Sequence, residues 1–380
     1  MNINKIEEYK KCLNGRDYRL LERCREILLS NIFKEGDLPV KYRFIAPDIG
    51  YFHGVWNWDS AFHAIGILRW DSELAKEQVE GFLDFIKPDG MLPDCMNAEG
   101  VLKWHSSKPP LFAWAAAKIV KETGDTAFAQ RIYDKLVLNE EFWSRERSDG
   151  KLFFYGAYNK DDERGTDLLA RWESGWDNSV RWDAGIEKLY PVDLNCFMYM
   201  CYDSLAYLAE CCGKESSEWK KRKEKMGQLI EDTFWNEELG AYTDVFRETG
   251  KKSDILSPAS FMPLYIKTAS KERAEKMKDI TENEKRFNKT MPTVSFDNPC
   301  YAAKDYWRGA LWMNVAYFAA KGLKNYGFKV ADEIKENILN MVAENEDGIY
   351  ENYDCVKNVG LCCKHFSWSC VFVTEFILNF

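Results

Sequence analysis

The sequence predicts an all-α fold, an (α/α)6 toroid in which six helical hairpins stand in a circle. Two kinds of helix alternate strictly along the 380 residues, six of each. One kind is apolar on a single face and the other nearly all round, so the first must lie outside and the second must be buried on every side. No linker, low-complexity run or shift of composition divides the chain. A closed ring of helix pairs therefore fits better than two separate all-α domains.

The amphipathic helices fall at about 17–33, 72–87, 126–147, 217–235, 271–284 and 329–344. In the fourth, Met226, Leu229, Ile230 and Phe234 make the buried stripe. The apolar helices fall at about 57–69, 109–123, 192–211, 257–269, 305–326 and 366–379. Most begin with polar or proline punctuation: Asn57, Pro109–Pro110, Asp193, Ser257–Pro258 and Asp305. Proline is tolerated in a first turn, where its missing N–H costs least. These starts, gathered at one end of the ring, would shape a funnel there.

Composition narrows the function. Hydrophobic residues make up 46% and charged residues 30%, so the chain can bury a core and is not disordered. A net charge of −9 without a basic tract excludes nucleic acid as a partner, because phosphate binding needs a positive field. No apolar run reaches the ~18 residues of a membrane span. The first residues, MNINKIEEYKKCLNGR, are charged and lack the apolar stretch of a secretory signal. The twelve cysteines lack CxxC spacing and mostly sit in apolar helical stretches, such as Cys196, Cys201 and Cys370. They read as reduced, buried thiols of a cytoplasmic protein. Aromatic content is high, with 14 Trp, 19 Tyr and 23 Phe, which points to a stacking surface.

The aromatic residues cluster with polar ones where the apolar helices start. The clusters bring Trp56, Trp58 and Asp59, then Lys108, then Trp176 and Arg181. Further along come Trp307, Arg308, Trp312 and Asn314, and last Tyr353 and Trp368. Indole covers the apolar face of a pyranose, while carboxylates, amides and guanidinium bond its hydroxyls. A small carbohydrate is thus the expected ligand, and these residues are its candidate binding set. Asp59 would face the funnel, with sugar hydroxyls or Arg308 as partners that offset the cost of its charge.

Cleaving a glycoside takes two carboxyl groups in different protonation states. Asp177, in the turn ESGWDNSVR directly after Trp176, is the candidate acid, since burial against an aromatic raises a carboxyl pKa. Glu351, between two tyrosines in GIYENYDC, is the candidate base. Glu173, Asp183 and Asp354 compete with them on spacing alone. The four histidines, His53, His63, His105 and His365, form no metal-ligand spacing, and GxSxG, P-loop and Rossmann fingerprints are missing. Neither metal nor cofactor is expected. A sugar isomerase or epimerase using His53 or His105 as base, a non-catalytic carbohydrate-binding protein and a purely structural toroid are the rival readings.

ESGWDNSVRW resembles the general-acid segment shared by glycoside hydrolase family 63 and the related family 37 trehalases. WNWDSAFHA, SKPPLFAWA, DYWRGALWMN and YENYD…FSWS resemble further family 63 signatures, in the same order from about Gly50 to Ser369. The resemblance implies one (α/α)6 catalytic domain over residues 1–380 and inverting hydrolysis of an α-glucoside or α-mannoside. By position it makes Asp177 the general acid and Glu351 the general base, and it places Asp59, Trp312 and Asn314 in segments that shape the sugar pocket. The trehalase-like PGGRF segment is missing, which disfavours a trehalase proper, and the short chain, with no signal or added β-domain visible, looks more like the compact bacterial enzymes acting on mannosylglycerate and glucosylglycerate. One departure stands out: Lys108 occupies the glutamine position of the usual SQPP. A lysine there is expected to alter the leaving-group subsite or attract an anionic aglycone.

Overall fold

The computed structural model describes residues 4–380. A short helix α1 (Asn4–Cys12) leads into α2 (Gly15–Ser30). The chain continues through α3 (Asn57–Ile67), α4 (Ser72–Leu83), α5 (Phe112–Thr123), α6 (Thr126–Glu146) and a short α7 (Thr166–Ser174). Then come α8 (Val192–Cys211), α9 (Ser217–Thr233), α10 (Met262–Tyr265), α11 (Lys271–Glu282), α12 (Met313–Asn325), α13 (Val330–Glu344) and α14 (Ser367–Leu378). The fold is all-α, and it forms the (α/α)6 toroid. In the inner ring α3 packs on α5, α5 on α8, α8 on α10, α10 on α12 and α12 on α14. Helix α14 then returns to α3 and closes the circle.

Burial follows the sequence pattern. Every residue of α3 is buried, as is all of α14 but its last residue. Outside, α2 packs on α14 and α3, α4 on α3 and α5, α6 on α5 and α8, α9 on α8, and α13 on α12 and α14. Four outer helices begin at a side chain that accepts from their first turn: Asn14, Asp71, Asp125 and Ser270. Inner helices α3, α5, α8, α12 and α14 begin instead at Trp56, Leu111, Pro191, Trp312 and Phe366, with no such cap. Neighbouring segments take some of their first N–H groups instead, Asn57 N–H donating to Asp94 O, Val192 N–H to Asp244 and Ser367 N–H to Pro47 O, and the helix dipoles favour negative charge at that end.

The strands are short and form no closed sheet. A three-stranded antiparallel sheet of β1 (Gly54–Trp56), β2 (Cys95–Asn97) and β3 (Leu102–Lys103) precedes α5. Short strands follow in β4 (Leu189–Tyr190), β5 (Trp235–Asn236), β6 (Ala241–Tyr242) and β7 (Val245–Phe246). There β4 pairs with β7 and β5 with β6. The hairpin β8 (Asn352–Asp354) and β9 (Val359–Leu361) leads into α14.

Three expected helices are shorter than the sequence suggests. The segment 257–269 is a 3-10 turn (Pro258–Phe261) joined to the single turn of α10, and the chain leaves it through Lys267 at φ 62°. Residues 305–312 are not helical: Tyr306–Arg308 is a 3-10 turn, and Leu311 bonds both ways with the backbone of Tyr353. Pro109–Pro110 precede α5 rather than enter it. The expectation of buried thiols is also corrected, since Cys12, Cys300 and Cys362 are exposed, although all twelve cysteines are free. Among the described residues no helix is long and apolar enough to cross a membrane.

Candidate active site

A cavity of about 160 Å³ opens at the N-terminal ends of α3, α12 and α14. Trp56, Trp58, Asp59, Lys108, Asp177, Trp307, Trp312, Glu351 and Trp368 all line it. Candidates far apart in the sequence thus meet in one place.

Its walls are aromatic. Trp307 stacks on Trp312 with centroids 4.1 Å apart and 9° between planes. Trp58 meets Trp368 edge-on at 5.2 Å, and Trp368 in turn leans on Trp312 at 5.4 Å. Such contacts fix the indoles as a rigid surface, ready to cover a sugar ring without further ordering.

The carboxyl groups differ in their surroundings. Glu351 sits just ahead of β8, where its backbone N–H donates to Cys363 O at 2.8 Å. Tyr306 donates its hydroxyl to Glu351 Oε1 at 2.8 Å. Burial moves the Glu351 pKa up, and the hydrogen bonds from Tyr306 and Cys363 oppose the shift. Asp177 follows the C-cap of α7, Gly175, whose φ of 74° lets the chain turn into the cavity. Burial pushes Asp177 up to about 6, while Lys108 pulls the other way. Asp59, in the first turn of α3, is pushed up to about 8, again by burial.

Lys108 is the cation among these acids. Its Nζ lies 3.1 Å from Asp94 Oδ1 and also donates to the carbonyl of Trp172. His105 Nε2 meets the other Asp94 oxygen at 3.0 Å. The ammonium is therefore neutralised from within the protein, and the expectation that it attracts an anionic aglycone loses its basis. Asp94, Asp177 and Asp59 all favour its charged form.

Five expected binding residues lie outside the cavity. Arg181 is buried and bidentate to both Asp193 and Asp244, at 2.7–2.9 Å, because two buried carboxylates need a guanidinium. It stacks behind Trp176, which in turn packs beneath Trp307 at 5.0 Å. Arg308 binds Asp183 through two contacts of 2.8 Å at the rim instead of reaching Asp59. Asn314 is fully buried within α12. Tyr353 is fully buried too, its hydroxyl accepting from the Tyr350 N–H at 2.8 Å.

The competing carboxylates are committed elsewhere. Glu173 is bidentate to Arg147 at 2.8 and 3.0 Å, Asp183 holds Arg308, and Asp354 accepts from the Val356 and Lys357 N–H groups. Tyr306 is the functional candidate that the sequence reading missed. It neighbours Trp307 in DYWRG, but nothing in sequence spacing tells that its hydroxyl reaches Glu351, 45 residues on. Asn178 ties the two loops together, donating to Asp305 at 2.9 Å and accepting from the Trp307 N–H at 2.9 Å. Among the described residues no group of three or more His, Cys, Asp or Glu side chains converges as a metal site.

The model of the mannosylglycerate hydrolase MGH1-like glycoside hydrolase domain matches residues 51–369. The chain belongs to that family. It is a glycoside hydrolase by membership, and it resembles family 63 enzymes with the trehalases as more distant kin. The mannosylglycerate hydrolase of Rubrobacter radiotolerans is 24% identical, over 85% of this chain and 90% of that protein. Human trehalase is 29% identical over 59% of this chain and 45% of its own length. Among solved structures, a GH63 mannosylglycerate hydrolase from Thermus thermophilus, in complex with Tris and D-glycerate, gives a TM-score of 0.80. At 21% identity, covering 94% of this chain and 99% of that one, it supports the fold.

Proposed function

We propose that this chain is an inverting α-glycosidase for a small α-glucoside or α-mannoside, working as one catalytic unit. The observation that carries the reading is that Asp177 and Glu351 share one aromatic-walled cavity in contrasting settings. Asp177, up at about 6, is raised from the usual carboxyl range by burial, so near pH 6 about half of the molecules carry the proton that it gives to the glycosidic oxygen. Glu351, held by Tyr306, takes a proton from water as that water attacks the anomeric carbon. In the same displacement the C–O bond to the aglycone breaks, its electron pair taking the Asp177 proton, and solvent then reprotonates Asp177 and removes the proton from Glu351. Asp59, up at about 8, is neutral at pH 7 and donates a hydrogen bond to a sugar hydroxyl. The aromatic walls cover the ring. Neither His53 nor His105 lines the cavity, which disfavours an isomerase with a histidine base.

The test is a proton NMR time course on α-glucosides and α-mannosides, including glucosylglycerate and mannosylglycerate. The reading requires first release of the β-anomer, with turnover falling at least ~10³-fold in Glu351→Gln. Asp177→Asn should lose alkyl glycosides to a similar degree yet keep an aryl glycoside whose phenol leaves without protonation. First release of the α-anomer overturns inversion. A well-folded Asp177→Asn with full activity overturns the acid.

A further inference from the structure

The toroid has a second and larger cavity, at the opposite end. It measures about 650 Å³ against about 160 Å³ for the first. Its lining comes from the later turns of α5, α12 and α14, the middle of α8 and the exit of α10. An aromatic plug separates the two cavities: Phe62 packs on Trp114 at 6.4 Å and on Phe372 at 5.0 Å, and Phe318 packs on both partners. Trp114 faces the rear cavity, whereas Phe62 touches Trp58 and Trp368 of the front one.

The rear cavity is cationic in a chain whose net charge is −9. Lys118, Lys121, Lys223, Lys267 and Lys321 line it, against the carboxylates of Asp203 and Glu375. Lysines near helix C-termini often serve only to offset the dipole or the last carbonyls. That accounts for Lys321, whose Nζ donates to Asn379 O at 2.7 Å. Lys223 is likewise taken, by Asp203 at 2.7 Å. Among the described residues, Lys121 rests on the ring of Tyr207 and meets no carboxylate, and Lys267 meets neither carboxylate nor carbonyl. Lys118 makes only a long ion pair with Glu375 Oε2, at 3.9 Å; burial lowers its pKa, Glu375 opposes the shift, and Arg69 and Lys121 add to it. Among the described residues Lys121 and Lys267 thus meet no carboxylate, and Lys118 has only the long contact with Glu375.

The same cavity offers an acceptor and ring faces. Glu375 is 3% exposed, and its Oε1 takes Arg69 at 3.2 Å and Asn379 at 2.7 Å. Its Oε2 accepts no hydrogen bond among the described residues and lies 3.9 Å from the Lys118 ammonium, in a residue that lines the cavity. Tyr199 and Tyr265 add aromatic surface to the wall. A bare anion would meet Glu375 as a like charge. A ligand that carries hydroxyls beside its phosphate satisfies both halves of the lining, hydroxyl to Glu375 and phosphate oxygens to the lysines.

We propose that this rear cavity binds a small polyhydroxylated organic phosphate, between Lys118, Lys121 and Lys267 on one side and Glu375 on the other. The site is independent of the hydrolysis reading, since no group of the front cavity takes part.

The test is calorimetric titration of the full chain with glucose 6-phosphate and with inorganic phosphate. Three proteins are compared: the natural chain, Lys121→Gln/Lys267→Gln and Asp177→Asn. Both lysines are exposed, so the double variant should fold, and its thermal unfolding is the check. Glucose 6-phosphate should bind the natural chain and Asp177→Asn alike, and the double variant at least ~tenfold more weakly. Binding should weaken with added salt, and glycosidase turnover of the double variant should stay unchanged. Unchanged affinity in the double variant overturns the proposal. So does loss of binding in Asp177→Asn alone, equal affinity for inorganic phosphate, or no heat at millimolar ligand.

Discussion

Asp59 keeps its proton up to about pH 8 because burial outweighs the nearby Lys108 ammonium. The unfolded chain releases that proton near 3.8. Between these values the folded state binds the extra proton, so rising pH favours the unfolded chain, and the stability present at low pH is lost by about pH 8. Asp59→Asn keeps the shape without the ionisation. It should match the natural chain near pH 4 and exceed it at pH 8, with a Tm gain on the order of a few °C. An equal Tm difference at both pH values would refute this account. The same residue marks the limit of what sequence can tell. WNWDSAF shows that a carboxyl begins a buried helix, so Asp59 was legible as a funnel residue. Its electrostatic partner was not, because Lys108 rather than Arg308 is brought beside it by the loop ahead of α5. Arg181 misled for a related reason: a guanidinium next to Trp176 suits a sugar, but it suits two buried carboxylates better, and Asp244 lies 63 residues away.

At the scale of elements, α7 sets the acid in place. It ends at Gly175, where a Cβ would stand 2.4 Å from Trp58 Cζ2 and the φ of 74° strains any side chain. Gly175→Ala should therefore cost about 1 kcal/mol or more in stability. It should also push Trp58 or the Asp177 turn aside and lower kcat/KM at least ~tenfold. A variant with lower Tm but full kcat/KM would make Gly175 a helix cap and nothing more. The helices with strong periodicity were legible from the sequence, and the weak ones were not. Helix α7 is nine residues long and only partly buried, so its pattern is short. The segment 257–269 is apolar enough for a long helix, yet it yields only four-residue turns around Pro258 and Pro263, since buried loops and buried helices share a composition. The hairpins were invisible for a similar reason: two or three residues carry no period, although β8 and β9 hold Glu351 in position.

The whole molecule depends on a ring that closes between its first and last inner helices. The contact is tight, since a Cβ added at Gly66 in α3 would lie 2.3 Å from Val371 Cγ2 in α14. About two turns before Gly66 stands Trp58, and about one turn before Val371 stands Trp368, whose rings meet across the active cavity. Closure and catalysis thus share one seam. In a helix interior Gly→Ala normally gains up to ~1 kcal/mol from propensity, so a loss at this position has to come from the seam. Gly66→Ala is expected to lower Tm and to lower kcat/KM several-fold, as α14 is pushed off α3 and the Trp58–Trp368 pair spreads. Val371→Ala alone should also destabilise, by leaving a void. Adding Gly66→Ala to Val371→Ala should then cost much less than Gly66→Ala alone, because the 2.3 Å and 3.3 Å clashes with Cγ2 and Cγ1 are gone and only the Cβ at position 371, 3.1 Å away, still presses. The double-mutant cycle separates the two explanations by sign. A Gly66→Ala enzyme that is more stable than the natural chain, with unchanged kcat/KM, would show that α3 and α14 have slack to give and that the seam does not govern the cavity.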